Sequence, residues 1–464
     1  MSGVFTLLAS VYAMRTLQPT EIGRYNYVLT FVTYFVSLAT LGIPVYGVRE
    51  IAKVKQNSEE KNHIFSELFI INFCTSCLSF AIYLLAVHHL SLYEKESNLC
   101  YRLGLLIVCN VLNVDWLYKG EEEYGYIAIR SIVIKLLSLV LLVQCVHNTT
   151  DIERYADITV LVTLGNYIHN VLHARHYVKF TLKGLHFFRH IKPNFILAIT
   201  VFFSELYNKI DVTMLGTLAS KYAVGIYSNA HELTFNVISC SIAATGVFLP
   251  RISSVLKDNK QEATRIINKG LELLVLLCIP LTFGLCALSS KAVLFLYGES
   301  YSNASITINI LAWLIIIRGI GDLVCYQLQI AAGLEKMRIP ASILTAMLNI
   351  AMNWMLIPSL KENGAAIASV MSELFVNGFI YIRMKKVLPF SIHWINVYKT
   401  LIASVTMYAI VCIVAQFDIS LLPSICISVV IGVLVFVGIS LILRNDAIIE
   451  IIHQIKSKLH RKRT

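Results

Sequence analysis

Residues 421–443 read LLPSICISVVIGVLVFVGISLIL, a run of 23 residues without a charged side chain. A helix needs about 20 consecutive apolar residues to cross the hydrocarbon core of a bilayer. The apolar residues are continuous rather than alternating, which favours a helix over a strand of a membrane barrel. The run therefore predicts a membrane-spanning helix.

The rest of the chain has the same character. Of its 464 residues, 57% are hydrophobic and 14% are charged, and the mean hydropathy is +0.69. Soluble domains are usually about 45–50% apolar and about 25% charged. The composition therefore excludes a soluble enzyme and predicts a protein that lies almost entirely within a membrane.

Fourteen apolar segments recur along the chain. The predicted spans are 3–14, 26–47, 64–87, 100–118, 125–146, 156–174, 193–215, 225–250, 270–297, 303–331, 339–358, 364–383, 396–416 and 419–443. The first is shorter than a full span, so we expect it to be incomplete, and we expect no cleavable signal peptide. The sequence predicts an all-α polytopic membrane protein with about 14 transmembrane helices.

The positive charges are distributed unevenly between the two sides of the membrane. With the N-terminus inside, 27 of the 39 Lys and Arg residues fall in or beside the cytoplasmic loops and tail, against 8 in or beside the external loops. Cytoplasmic loops carry such an excess, so both termini are predicted to be cytoplasmic, with the basic tail Lys456–Arg463 on the anionic leaflet. The net charge of +11 belongs to this pattern. Nucleic acid is not expected as a partner, because no basic stripe with interleaved aromatic residues occurs.

An internal repeat is visible. Ile22-Gly23-Arg24-Tyr25 matches Val224-Gly225-Ile226-Tyr227 at an offset of 202, and Arg49 matches Arg251 at the same offset. The offset covers six spans, an even number, which predicts parallel repeats related by an axis along the membrane normal. Alternating-access carriers have this architecture. Chance similarity between apolar helices is the alternative.

The repeat predicts two pseudo-symmetric six-helix lobes followed by two C-terminal helices. The N-lobe is expected at 1–180 with spans 1–6, and the C-lobe at 193–384 with spans 7–12. Between them, 181–192 is a basic segment with interspersed apolar residues, which suits the plane of the membrane interface. Spans 13 and 14 and the basic cytoplasmic tail make up 385–464.

Ionisable residues inside a membrane are costly and usually face the protein interior or a hydrated cavity. Those singled out at depth within the predicted spans are Lys135, Glu205, Lys209, Asp211, Glu232, Arg318, Asp322 and Glu373. Glu205 with Lys209, and Arg318 with Asp322, have i,i+4 spacing, so each pair could neutralise itself. Lys135 has no such partner and faces either a cavity or an ion pair from another helix.

The deep carboxylates are candidates for binding a coupling ion. Asp211 and Glu373 have no cation three or four residues away, and a buried carboxylate without a cation can carry a proton. Glu205 and Asp322 belong to the same group of candidates. The sequence leaves open whether the ion is a proton, sodium or none.

Other polar patterns favour ordinary structural roles. Cys74 and Cys77 form a C-x-x-C within an apolar helix, where free cysteine behaves as a small hydrophobe. His169, His173 and His176 have metal-ligand spacing, but no carboxylate accompanies them, so packing at the interface is preferred. Neither a metal nor a cofactor is predicted, and no nucleotide-binding glycine-rich loop occurs.

The turn after span 4 holds three consecutive acids. Glu121, Glu122 and Glu123 follow Asp115, which lies near the inner end of span 4. We expect solvated capping carboxylates here rather than catalytic groups. The external loops are short and contain no acid/base set, so the chain is not predicted to be an enzyme.

A series of short motifs extends from residue 15 to residue 373. In the first half they are RTLQPTEIGRY (15–25), YGVREIA (46–52) and NVDWLYKGEEEY (113–124). In the second half they are RHIKP (189–193), DVTMLG (211–216), VGIYSNA (224–230), LPR (249–251), GLEK (333–336), 349–358 and NGAA (363–366), with Glu373. In this order and spacing the series resembles the polysaccharide (O-antigen) flippases of the multidrug/oligosaccharidyl-lipid/polysaccharide superfamily. One departure is Gln18, which stands where that family usually has glycine.

The resemblance implies a function. Such proteins move an undecaprenyl-diphosphate-linked oligosaccharide from the inner to the outer leaflet of the bacterial cytoplasmic membrane, for O-antigen, lipopolysaccharide and other polysaccharide biosynthesis. The implied mechanism is alternating access of two lobes. The implied partners are the lipid-linked oligosaccharide, membrane lipids and other polysaccharide-assembly membrane proteins.

A diphosphate is anionic, and arginine binds phosphate through two parallel hydrogen bonds. The candidate substrate-binding residues are therefore cations, with Lys135, Lys209 and Arg318 at depth and Arg24, Arg49 and Arg251 at the two mouths. Two alternatives remain. A drug or cation antiporter of the same superfamily would favour a carboxylate-rich cavity without phosphate-binding bases, and a membrane-embedded sugar-repeat polymerase would need a sizeable external loop.

Overall fold

A computed structural model describes residues 2–256, 258–417 and 420–450, and these ranges contain helices and turns but no strand. The helices are α1 (Ser2–Thr40), α2 (Ile43–Lys53), α3 (Ser58–His89), α4 (Ser97–Cys109), α5 (Asp115–Gly120), α6 (Tyr124–Cys145), α7 (Ile152–Ala174), α8 (Phe188–Leu218), α9 (Lys221–Thr245), α10 (Phe248–Val255), α11 (Lys260–Tyr297), α12 (Ala304–Leu311), α13 (Trp313–Gly321), α14 (Leu328–Ala331), α15 (Arg338–Val387), α16 (Trp394–Val414) and α17 (Leu421–Ile442). The predicted basic tail, Lys456–Arg463, lies outside the described residues.

Every predicted span coincides with a helix or with a run of consecutive helices. Within the described ranges, nine helical stretches are long and apolar enough to cross a membrane. Two of these stretches hold two predicted spans each, because α1 and α15 each continue through one residue of non-helical backbone. The remaining spans fall on α4 with α5, on α7 and on α8. The prediction of an all-α polytopic membrane protein is confirmed.

The two breaks lie at Gln18 in α1 and at Lys361 in α15. Gln18 has φ 64° and ψ 169°, and Lys361 has φ 49° and ψ −126°. A residue with a side chain rarely adopts positive φ, whereas glycine does so readily. Gln18 is the position where the resembling family usually has glycine, and its backbone explains that preference.

The chain divides into two compact units, Met1–Gly225 and Ile226–Thr464. In the first, called unit 1, α1 packs against α3, α4, α6 and α8, and α2 packs against α5. Tyr46, Phe65, Leu68 and Trp116 belong to one buried cluster of this unit. The predicted lobe bounds at 180 and 193 stay a prediction.

In the second, called unit 2, α11 contacts α12, α13, α16 and α17. Helices α16 and α17 are the predicted spans 13 and 14, and they also pack against each other. Leu276, Met407 and Phe436 join them to α11 in one apolar cluster. The two extra helices therefore contribute to the core of this unit.

Large apolar surfaces remain on the outside of the helices. In the most apolar 18-residue stretch of α6, only 11% of the residues are buried inside the protein. Ile129, Val133 and Val140 are exposed. A soluble protein rarely exposes so much contiguous apolar surface. These faces are the ones that contact lipid.

The repeated glycines Gly23 and Gly225 approach each other within unit 1. A Cβ atom on Gly23 would overlap the carbonyl oxygen of Lys221, and one on Gly225 would overlap the carbonyl oxygen of Pro19. Because both obstacles are backbone atoms, only glycine permits the approach. The two copies of the Gly-x-Tyr motif thus place the beginnings of two helical segments in direct backbone contact.

Candidate functional site

The deep cation of α6 is Lys135, at the middle of that helix. Its side chain is half-buried and makes no hydrogen bond or ion pair with the described residues. Almost all other residues of this helix are apolar, which favours its insertion into the membrane. The ammonium group of Lys135 therefore lies at membrane depth. An unpaired cation there is costly, and an anion bound beside it would lower that cost.

Helix α8 carries Glu205, Lys209 and Asp211. Glu205 and Lys209 are half-buried, and the i,i+4 ion pair that the sequence suggests is not formed. Asp211 is 8% exposed. One turn after Lys209, the hydroxyls of Thr213 and Tyr34 are 2.9 Å apart, which ties α8 to α1. Lys209 is thus a second cation at depth for which the described residues offer no carboxylate within ion-pair distance.

The three arginines predicted at the mouths differ in their surroundings. Arg24 is bonded to Glu96 and to Glu21, each at 2.8 Å. The side chain of Arg49 is 57% exposed, bonded to Glu50 at 3.0 Å and placed over the ring of Tyr46. Arg251, in the short helix α10, is exposed and makes no ion pair with the residues that the structure describes.

In unit 2, Arg318 pairs with Glu373 rather than with Asp322. The Nη2 atom of Arg318, in the last turn of α13, donates to Oε1 of Glu373 in α15 at 2.7 Å. Asp322, four residues beyond Arg318, instead accepts hydrogen bonds from the hydroxyl of Thr245 and from Nε2 of Gln327. The helix packing therefore replaces the local pair with an ion pair between two helices.

A π-helical turn begins four residues after this arginine, where α13 ends. It covers Asp322–Gln327, and such turns are rare and frequently found at functional sites. The bare Cα of Gly321 leaves room for Asn377, whose amide a Cβ atom would overlap. Asn377 donates through Nδ2 to Oε2 of Glu373 at 3.1 Å. Both oxygens of Glu373 are therefore hydrogen-bonded.

A second carboxylate network lies in unit 1, where the sequence gives no hint of it. Glu67 in α3 is fully buried and accepts hydrogen bonds from Nε and Nη2 of Arg189 at 3.1 and 2.8 Å. It also accepts from the backbone nitrogen of His186 and lies 2.6 Å from Nε2 of His190. The network fastens the first turn of α8, and the residue His186 just before it, to α3.

His190 is nearly fully buried and precedes the predicted span 193–215. Its Nδ1 atom is 2.9 Å from the hydroxyl of Tyr46, and its Nε2 atom faces Glu67. Neutral histidine satisfies both contacts, with Nε2 donating and Nδ1 accepting. Burial lowers the pKa of His190, although the neighbouring Glu67 acts in the opposite direction. The lowered pKa favours the neutral ring.

The acids near the inner end of span 4 are more structural than we expect from sequence. Asp115 pairs with Arg130 at 3.0 Å and also accepts a hydrogen bond from the buried amide of Asn170. Glu121 pairs with Lys61 at 2.9 Å, and both side chains are more than nine-tenths buried. Only part of this group is solvated, because helices from elsewhere in the chain cover it.

The three histidines of α7 and the turn after it lie in a ladder of rings. The ring of His173 stacks on Tyr126 with centroids 4.1 Å apart, and Nδ1 of His169 is 2.9 Å from the Tyr126 hydroxyl. His176 lies at the edge of the ladder, 5.0 Å from His173. The arrangement is aromatic packing, as the sequence favours.

Comparisons with known proteins agree with this fold. The family model described as "Polysaccharide biosynthesis protein" matches residues 1–256, and the one described as "Lipid II flippase MurJ" matches residues 137–435. A protein of Escherichia coli strain K12, provisionally named an O-antigen transporter, is 23% identical over 82% of this chain and 93% of its own length.

Among solved structures, the inward closed conformation of the lipid II flippase MurJ is similar over 96% of this chain and 98% of that chain. Its TM-score is 0.76 at 15% identity. The inward-facing conformation of a multidrug resistance MATE family transporter has a TM-score of 0.62 at 15% identity, over 83% of this chain and 95% of that chain. At these identities the likeness shows the fold alone.

Proposed function

The chain belongs to the polysaccharide biosynthesis protein family, and on that premise we propose that it is a flippase for a lipid-linked oligosaccharide. It moves an undecaprenyl-diphosphate-linked oligosaccharide from the inner to the outer leaflet and so supplies polysaccharide biosynthesis. The sugars and the diphosphate cross in a hydrated cavity while the lipid tail stays in the bilayer. Two lobes alternate in opening this cavity to either side.

The observation that carries the proposal is the pair of unpaired lysines at membrane depth. Lys135 and Lys209 are half-buried within helices and make no ion pair with residues in the described part of the chain, although Glu205 lies one turn from Lys209. A protein without an anionic substrate gains nothing from keeping them there, since each charge at this depth is costly. A diphosphate supplies the missing negative charge, and a charge-assisted hydrogen bond to it is worth about 1.5–3 kcal/mol.

The chemistry of the two lysines suits transport rather than catalysis. The lysines attract and hold an anion, but neither has a neighbouring acid or base placed to activate a nucleophile. Substrate identity at the level of individual sugars depends on the shape of the cavity. Movement is driven by a gradient, or by consumption of the product on the far side.

The proposed site of action is the bacterial cytoplasmic membrane, with both termini in the cytoplasm. The excess of Lys and Arg in the predicted inner loops supports this orientation. Membrane lipids and other polysaccharide-assembly membrane proteins are the proposed partners. Transfer of each repeat unit to the outer leaflet would deliver it to polymerising enzymes there.

The sidedness of the lipid-linked oligosaccharide tests the proposal. Inner-membrane vesicles from cells with and without the protein are treated with a glycan-cleaving enzyme that cannot cross the bilayer. Glycan exposed on the outer-leaflet side should depend on the protein. Lys135→Ala should lower that exposure about 10- to 100-fold, because it removes a charge-assisted bond of about 1.5–3 kcal/mol to the diphosphate.

Lys179→Ala is the matched control. Lys179 lies in the segment before α8, where only its backbone nitrogen is bonded, to Oδ1 of Asn62. Removing its exposed side chain should leave export unchanged. If sidedness does not depend on the protein, or if polymer length or drug tolerance changes instead, the flippase proposal is wrong.

A further inference from the structure

We propose that Arg318 and Glu373 form a partner-exchange pair, in which the diphosphate of the substrate takes Arg318 from Glu373 and Glu373 then binds a proton. The inference rests on the proposed flippase function and deepens it. It joins the binding of an anionic substrate and the binding of a proton at one ion pair within unit 2.

The geometry places both partners where an exchange is possible. Arg318 and Glu373 lie on different helices, 2.7 Å apart, with side chains that are 22% and 13% exposed. They are therefore accessible to a ligand, unlike the fully buried Glu67 of unit 1. A guanidinium group donates hydrogen bonds to carboxylate and phosphate oxygens in the same planar arrangement, so the two anions compete for it.

When Arg318 turns to the diphosphate, Glu373 loses the positive charge that lies 2.7 Å from it. An ionised carboxylate within a membrane span is costly without a cation, and such groups commonly neutralise instead. One proton adds to a carboxylate oxygen of Glu373 and no other bond is broken, so the proton offsets one of the two negative charges that the diphosphate brings. Asn377 suits both states, because its amide can donate to a carboxylate or accept from a carboxylic acid.

Other charged or titratable groups surround the pair. Asp322 and Cys325 lie on the π-helical turn, and Nη1 of Arg338 is 3.3 Å from the carbonyl oxygen of Cys325. Asp322 is held by neutral donors, so its bonding does not depend on where Arg318 points. On α9, the ring of Phe235 lies beneath the guanidinium, and His231 stacks on that ring, with Glu232 next in the chain.

Binding measured as a function of pH tests the exchange. The full-length protein in detergent is titrated with a short-chain prenyl-diphosphate-sugar, a diphosphate diester that does not itself titrate near neutrality. From mildly alkaline to mildly acidic pH, affinity should rise by up to about tenfold per pH unit, the slope for one coupled proton. An indicator dye in weak buffer should record proton uptake on binding.

Glu373→Gln removes the proton acceptor and the competitor together. It should bind the probe more tightly than wild type at alkaline pH, with no proton uptake and no dependence on pH. Asp322→Asn and Glu232→Gln should keep the wild-type slope. If Glu373→Gln is not monodisperse, Arg318→Lys replaces it, since that variant should bind more weakly yet keep the proton uptake.

The matched control is Glu450→Gln. Glu450 also pairs at 2.7 Å, with Lys269, but the two side chains are about half exposed. This variant should match wild type in affinity and slope. Affinity that does not change with pH in wild type, or a slope that survives in Glu373→Gln, would overturn the exchange. Absence of probe binding in every protein would instead contradict the flippase proposal.

Discussion

The cations at membrane depth differ in ion pairing between unit 1 and unit 2. In unit 1, Lys135 and Lys209 make no ion pair with the described residues, even though Glu205 is one helical turn from Lys209. In unit 2, Arg318 is bonded to Glu373, whose second oxygen is bonded to Asn377. The first arrangement gains stability when an anion arrives, whereas the second must give up a bond to receive one.

The difference separates two tasks: attracting an anion, and changing another bond when the anion binds. Unpaired ammonium groups draw an anion from either side of the membrane, and they change nothing else when it binds. A paired guanidinium group releases its carboxylate when an anion displaces it. On the proposed function, unit 1 would supply affinity and unit 2 would supply the coupling of affinity to a second event.

The largest effect is expected from giving unit 1 the arrangement of unit 2. Ser131 lies one turn before Lys135 in α6, so Ser131→Glu places a carboxylate at the i,i+4 spacing that pairs well with lysine. Export should fall about 10- to 100-fold, since a charge-assisted bond of about 1.5–3 kcal/mol to the substrate is lost. The vesicle assay measures the rate, and Ser131→Gln serves as the uncharged control. Equal export by both variants would mean that Lys135 does not contact the substrate.

A smaller effect is expected on stability, from the buried network around Glu67 in unit 1, where the ion pair with Arg189 holds two helices together. His190→Phe removes the partner of the Tyr46 hydroxyl and one donor to Glu67, which should lower the free energy of unfolding by about 1–3 kcal/mol. Thermal unfolding of the detergent-solubilised protein measures this. Export by the folded fraction should be unchanged, because the network lies outside the predicted cavity. A proportional loss of export without loss of stability would contradict this interpretation.

The same histidine predicts the direction of a pH effect. Because burial lowers the pKa of His190, the unfolded chain binds more protons than the folded one once pH falls below the ordinary histidine value of about 6.5. Its contribution to stability is complete above that pH and is lost as the pH falls towards the lowered pKa. Wild type should therefore lose stability in this window faster than His190→Phe.

The smallest effects are expected at the two helix breaks, one in each unit. Gln18→Gly and Lys361→Gly should each relieve positive-φ strain of about 1–3 kcal/mol, partly offset by the greater freedom of glycine in the unfolded chain, about 0.4–1 kcal/mol. A net gain of about 0–2.6 kcal/mol is expected for each. A loss of stability in either variant would indicate that its side chain makes contacts worth more than the strain.

The helices could be predicted from sequence because membrane insertion depends on sums over about 20 residues. No single residue decides whether 421–443 is a span, so errors at individual positions cancel. The break at Gln18 depends on the backbone of one residue, so errors in its prediction do not cancel. Pro19 indicates a helix start but does not fix the conformation of the residue before it. Only the family's preference for glycine pointed to positive φ there.

The polar contacts were harder to predict, because they depend on which helices become neighbours. The i,i+4 rule offered Asp322 to Arg318, but the packing of α13 on α15 brings in Glu373 from 55 residues away. Glu67 and Arg189 are 122 residues apart in the chain. Spacing along one helix therefore identified the ionisable residues at depth but not their partners.

The contact between Gly23 and Gly225 has a consequence for how this sequence can change. A side chain at either position would collide with a main-chain carbonyl group, and no exchange of one side chain for another removes a carbonyl. A side chain introduced at either glycine therefore cannot be compensated by a mutation at another position, whereas a collision between two side chains can be. A selection for restored export after Gly23→Ala should return glycine at that codon and no second-site suppressor.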